Sequence, residues 1–67
     1  MKPLIASDIV LEIKSDFDAK KGTLETIIES KMFEHQYPLR DVLANTYANT
    51  FPESKNYLFQ RKLISKL

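Results

Sequence analysis

Residues 15–29, SDFDAKKGTLETIIE, place Asp16 and Asp18 two apart ahead of the single glycine, with helix-like sequence on both sides. That spacing raises calcium chemistry, because a helix-loop-helix calcium site draws oxygen ligands from alternate loop positions. The site wants ligands at positions 1, 3 and 5, glycine at 6, an apolar residue at 8 and a closing glutamate at 12. Counted from Asp16, position 3 is Asp18, but Lys20 and Lys21 fill positions 5 and 6 and Ile27 stands at 12. Gly22 and Leu24 each arrive one residue late. Counted from Asp18, Lys20 falls at position 3 and Gly22 at 5. A cation would meet ammonium groups where it needs oxygens, so the stretch reads as a helix end, a glycine turn and a threonine cap.

Other reactive groupings are equally thin. There is no cysteine for a nucleophile or a thiolate-bound metal, and His35 is the only histidine, which precludes a histidine cage within one chain. His35 reads as a solvated residue in a polar inter-helix turn. One glycine cannot build a phosphate-cradling loop. Glu25 and Glu29, four apart, read as a solvated helix face. The expectation is a protein without catalytic residues, metal or cofactor, and not an enzyme.

The elements that would carry these residues follow from the punctuation. At 67 residues the chain is one domain, 1–67, with a flexible N-terminus over 1–6. Such a chain buries only about 60% of its extended surface and has no disulfide to help. Hydrophobic content of 43% and charged content of 28% belong to a folded chain. The fold class expected is all-α, with three to four short amphipathic helices.

Ser7 is the expected N-cap of a first helix running to about Phe17, with Ile9, Ile13 and Phe17 on one face and Val10 beside them. The run IVLEIK also has strand character, but nothing else in the chain offers it a partner strand. Lys20-Lys21-Gly22 reads as a stop in which glycine takes positive φ. Thr23 then caps a helix from Leu24 to about Phe33, with Leu24, Ile27, Ile28 and Lys31/Met32 as its stripe. Pro38 suits the first turn of a third helix carrying Leu39, Val42, Leu43, Thr46, Tyr47 and Thr50 at helical spacing. Phe51-Pro52 demands an extended residue, and PES restarts a fourth helix whose row is Phe59, Leu63 and Leu67, with Tyr57 and Ile64 in another.

Charge separates the two halves mildly. Residues 1–37 hold five lysines against seven acids, and residues 38–67 hold five basic residues against two acids. This falls short of the basic footprint of a dedicated nucleic-acid binder. A break at NTFPES followed by a basic segment still imitates a helix-turn-helix, with Lys55, Arg61, Lys62 and Lys66 as its phosphate- or base-contacting residues. A small helical DNA-binding regulator is therefore the alternative reading. No apolar run nears the roughly 18–20 residues that span a bilayer, and no charged start precedes a clean apolar core, so an intracellular, membrane-free protein is expected. Ser65-Lys66-Leu67 matches a peroxisomal address, but a basic leucine-rich helix end produces the same tripeptide.

Tyr37, Tyr47, Phe51, Tyr57, Leu58 and Phe59 crowd the second half of a chain too short to bury them all. Part of this set must be core. The remainder suits an apolar groove for a partner's helix, with aromatic anchors.

From Ile27 onward the chain resembles the late-transcription coactivators of T-even-type phages, small helical sigma-adaptors. The resemblance rests on IIE at 27–29, Asp41 twelve positions after that triplet, NTFPES at 49–54 and the apolar-basic LISKL at 63–67, about forty residues in all. It implies a helical clamp around the flap tip of the host RNA polymerase β subunit, in the place of a sigma promoter-recognition domain. Promoter reading falls to a separate phage sigma-like factor, and the setting is the cytoplasm of a bacterial host. By this resemblance Ile27, Ile28, Val42, Leu43, Tyr47, Phe51, Tyr57 and Leu58 form the flap-facing surface or its immediate support. Clamp-responsive members carry an acidic-hydrophobic tail after the helical body; the basic LISKL departs from that pattern, so the resemblance implies flap contact and leaves clamp involvement open.

Overall fold

The computed structural model describes residues 5–65. Helix α1 spans Ala6–Asp18, α2 Leu24–His35, α3 Arg40–Thr50 and α4 Lys55–Gln60, with a 3₁₀ turn at Pro52–Ser54 before α4. The described residues include no strand, so IVLEIK lies within α1 and the chain is all-α, as its sequence indicates.

Each helix boundary has a local cause, and several differ from expectation. Ile5, extended at φ −94° and ψ 165°, is the cap position of α1, and no side chain caps it. Ser7 therefore lies inside the first turn, where Asp8 complements the helix dipole. The expected flexible start falls on residues 1–4, outside the described residues, and on Ile5 and Ala6, which open α1.

At the other end of α1 the left-handed residue is Lys20, at φ 59°, and not Gly22. Its N–H donates to Phe17 O at 3.0 Å and the Lys21 N–H to Asp16 O at 3.1 Å, closing the helix two residues before the glycine. Gly22 does take the expected positive φ, 155°, but in the connection beyond this stop.

Thr23 caps α2 as expected, its Oγ1 accepting from the Thr26 N–H at 3.4 Å. The helix runs past Phe33 to His35 and ends at Gln36, left-handed at φ 53°, with the Tyr37 N–H donating to Met32 O at 2.8 Å. Pro38 stands just ahead of α3, whose cap position is Leu39. Phe51 leaves the helical region before Pro52, at φ −126° and ψ 79°, short of the fully extended conformation expected there. Its carbonyl accepts from both the N–H and Oγ of Ser54, at 3.0 and 2.8 Å, which winds the 3₁₀ turn.

Helix α4 is shorter than its apolar row suggests. Lys62 is left-handed at φ 61°, and the Leu63 N–H returns to Leu58 O at 2.9 Å. Leu63 and Ile64 are buried after this turn instead of continuing a helical stripe, and Leu67 lies outside the described residues.

The core gathers Ile9, Val10 and Ile13 from α1, Leu24, Ile27 and Ile28 from α2, Leu43, Ala44, Tyr47 and Ala48 from α3, then Leu58, Leu63 and Ile64. Burying a large aliphatic side chain contributes about 1.5–3 kcal/mol before entropy is counted. Ala44 and Ala48 face inward where bulk would hold α1 and α3 apart. Ion pairs link Asp16 with Lys31 and Glu12 with His35, so α1 and α2 run antiparallel. The Cα radius of gyration, 11.0 Å, equals that of a well-packed chain of this length, about 11 Å.

Candidate interaction surfaces and a charged clasp

The sequence expects an apolar groove, and the residues proposed for it divide sharply. Ile27, Ile28, Leu43, Tyr47 and Leu58 are at most 4% exposed, so they are interior support and offer a partner almost no surface. They lie on the inward faces of their helices, where a 67-residue chain places its few large apolar groups first. Phe51 and Tyr57 are half-buried, and Val42 is 44% exposed.

Two of the surface-reaching residues share a recess of about 190 Å³ with Lys14, Phe17, Leu24, Tyr47, Glu53 and Ser54. Tyr47, from the last turns of α3, is its floor. The Phe51 ring lies 4.9 Å from that of Tyr47, tilted by 48°. The non-helical backbone before Pro52 sets this placement, because a continued helix would carry Phe51 elsewhere. Lys14 Nζ stands 5.5 Å from the Phe51 centroid and 3.0 Å from Asp18 Oδ1, which raises the Lys14 pKa.

Tyr57 forms the far wall. Its hydroxyl donates to Glu25 Oε1, and Arg61 Nε lies 3.5 Å from Glu25 Oε2 with its guanidinium 5.4 Å from the Tyr57 ring centre. The hydrogen bond from Tyr57 is the main reason that the Glu25 carboxyl titrates low, and it raises the Tyr57 phenol in turn. Burial raises Tyr47.

A second apolar region lies at the α2–α3 corner and beside α4: Phe33 is 87% exposed, Leu39 54%, Val42 44% and Phe59 42%. Sequence reading placed Leu39 and Phe59 on core-facing rows and left Phe33 unassigned. Phe33 sits off the Leu24–Ile27–Ile28 stripe, and that offset was the available signal. Phe17, set on the core face of α1, lies a turn beyond Ile13 and reaches the recess rim at 42% exposure.

The basic residues of the DNA-binding reading differ in their surroundings. Lys55 is half-buried, Arg61 is engaged with Glu25 and Tyr57, Lys62 is exposed in the turn after α4, and Lys66 lies outside the described residues. The tripeptide 65–67 lies outside them too, except for Ser65.

His35 differs most from expectation. It ends α2, and its Nε2 lies 2.9 Å from Glu12 Oε1 and 3.7 Å from Glu34 Oε2. One ligand atom from each of Glu12, Glu34 and His35 falls within 4.8 Å of the others, a metal-like grouping. Lys31 Nζ already supplies a cation there, 3.4 Å from Glu12, 3.4 Å from Asp16 and 3.2 Å from Glu34. Burial alone would lower the Lys31 pKa, but the Glu34, Glu12 and Asp16 carboxylates outweigh it and raise it. The hydrogen bond to His35 leads the causes that lower Glu12. The cluster fastens α1 to α2 as a charged clasp.

No helix among the described residues is long and apolar enough to cross a membrane. No family model matches the chain, and neither a curated protein nor a solved structure does.

Proposed function

We propose that the protein is a binding adaptor, phage-encoded and acting in the bacterial cytoplasm, that grips the β-subunit flap of host RNA polymerase and substitutes for sigma contacts. The observation that carries this reading is the position of NTFPES. Phe51, Glu53 and Ser54 of this most distinctive piece of the coactivator resemblance line a recess that also gathers Tyr47 and Tyr57. At about 190 Å³ the recess is below the roughly 300–1,000 Å³ of small-molecule sites, and it suits a single large apolar side chain projecting from a helix. An apolar flap-tip helix presents such a side chain. A phage sigma-like factor then supplies promoter reading.

An enzymatic role gains no support from the same geometry, since His35 is bonded to carboxylates and the recess pairs no nucleophile with a base. The DNA-binding alternative is weaker for a different reason. Helix α4 has six residues, about 9 Å of length, and the Arg61 guanidinium is engaged at home.

The test is binding of the purified protein to bacterial core RNA polymerase, intact and with the flap tip deleted, at low and high salt. Salt-resistant binding that disappears with the flap tip is expected. Phe17→Glu, at the exposed rim, should weaken it by at least about tenfold, and Leu11→Gln on the outer face of α1 should not. Binding that survives flap deletion, or that falls steeply with salt as phosphate contacts do, would overturn the reading.

A further inference from the structure

The corner where α3 begins leaves five consecutive residues exposed: Pro38, Leu39, Arg40, Asp41 and Val42. Beside it runs a groove of about 700 Å³ between α3 and the chain that follows α4, with Asp41 and Asn45 on one wall and Phe59, Lys62, Leu63 and Ile64 on the other. Asp41 and Lys62 carry opposite charges and line the same groove. Neither makes an ion pair among the described residues.

We infer that this face binds a second copy of the chain about a two-fold axis. An isologous contact requires one patch to carry both halves of its own complement. Here the Leu39–Val42 corner supplies an apolar protrusion with an acid, and the adjoining groove supplies an apolar trough with a base. Seating each corner in the other copy's groove brings Leu39 and Val42 onto Phe59 and Leu63, and it pairs each Asp41 with the opposite Lys62. Charges that form no ion pair among the described residues of one copy are matched between two. A chain too short to bury all its large apolar groups gains covered surface by the same step. The polymerase-binding recess is lined by other residues, so the two inferences stand or fall separately.

The decisive measurement is sedimentation equilibrium of the full chain at concentrations up to about 1 mM, with far-UV circular dichroism to confirm that each variant is folded. A reversible dimer is expected. Leu39→Ser combined with Val42→Ser should weaken it about 100-fold. Lys62→Glu and Asp41→Lys should each weaken it about tenfold, and an equimolar mixture of those two variants should recover a heterodimer close to wild-type affinity. A wild-type monomer throughout this range overturns the inference, as does a dimer indifferent to these substitutions or a mixture no tighter than its components. A monomer that loses polymerase binding on the Leu39/Val42 change would assign the corner to a different protein and also overturn it.

Discussion

The recess around Phe51 and the corner at Leu39 are both apolar, yet they are built in opposite ways. Three aromatic rings of the recess are braced, with Phe17 at its exposed rim the exception: Phe51 lies on Tyr47, Tyr57 is held by Glu25, and Arg61 covers the Tyr57 ring. At the corner, Phe33, Leu39 and Val42 project from helix termini with little beneath them, and Phe33 is 87% exposed. A braced apolar site pays its ordering cost during folding, so binding there loses less side-chain entropy. An unbraced one must order its side chains when a partner arrives, and so depends on area and reciprocity. Preorganised shape at one site and self-complementary pattern at the other are therefore the properties to probe.

The sharpest way to break this contrast is to remove the brace. Tyr47→Ala should cost about 3–5 kcal/mol, against a total stability of about 3–10 kcal/mol for a chain this small, so a urea melt should lose most or all of its cooperative transition. Phe33→Ala should leave the same melt within about 0.5 kcal/mol of wild type. A large loss at Phe33 would show that the corner is braced too.

A smaller effect sharpens the comparison through the backbone. Lys20 near the recess and Gln36 near the corner both hold left-handed φ, at 59° and 53°. Replacing either by glycine relieves a conformation that costs about 1–2 kcal/mol in L-residues, partly offset by glycine's unfolded-state entropy. Each should raise the melting midpoint by the equivalent of about 0.5–1 kcal/mol, by similar amounts at the two sites.

The smallest effect is in pH. Glu25 titrates below the ordinary 4.5 because Tyr57 donates to its carboxylate. Its contribution is thus complete above that value and disappears as pH falls through the folded-state pKa. Tyr57 is raised above its ordinary 10.0 by the same bond, so that contribution is present below 10 and lost as pH rises through its folded value. A Glu25→Gln variant should show shallower loss of stability at both extremes, read from melts across the pH range.

Much of the fold was legible because apolar spacing sets helix faces. Ile9, Ile13, Ile27, Ile28, Leu43 and Tyr47 all turn inward as their periodicity requires. The helix ends were harder. Gly22 looked like the natural left-handed stop, but Lys20 is the residue at which the backbone of α1 closes its own carbonyls. Ala44 and Ala48 carried no signal as small residues, and their burial depends on how closely α3 approaches α1.

The candidate sites were legible only in outline. The Phe51-Pro52 step is readable as a break in the helix, and the non-helical backbone there is what aims Phe51 at Tyr47. Which other side chains meet it depends on helix packing, so Phe17 reads as core, and spacing alone does not separate the five interior support residues of the flap-facing set from those that reach the surface. The Glu12–His35 bond spans 23 positions, and no local pattern announces it.

The turn at Lys62, which folds Leu63 and Ile64 back into the core, also bears on how the chain is made. Leu58, Leu63 and Ile64 complete an interior whose other members end at Ala48. At about 5–20 residues per second, the stretch from Ala48 to Ile64 takes on the order of one to three seconds to synthesise. The ribosome tunnel delays its emergence further. For that interval the nascent helices lack the side chains that complete this interior, and the apolar surface left uncovered is a target for chaperones and for neighbouring nascent chains. Slowing translation over residues 49–64 would lengthen that exposure without changing a single native contact.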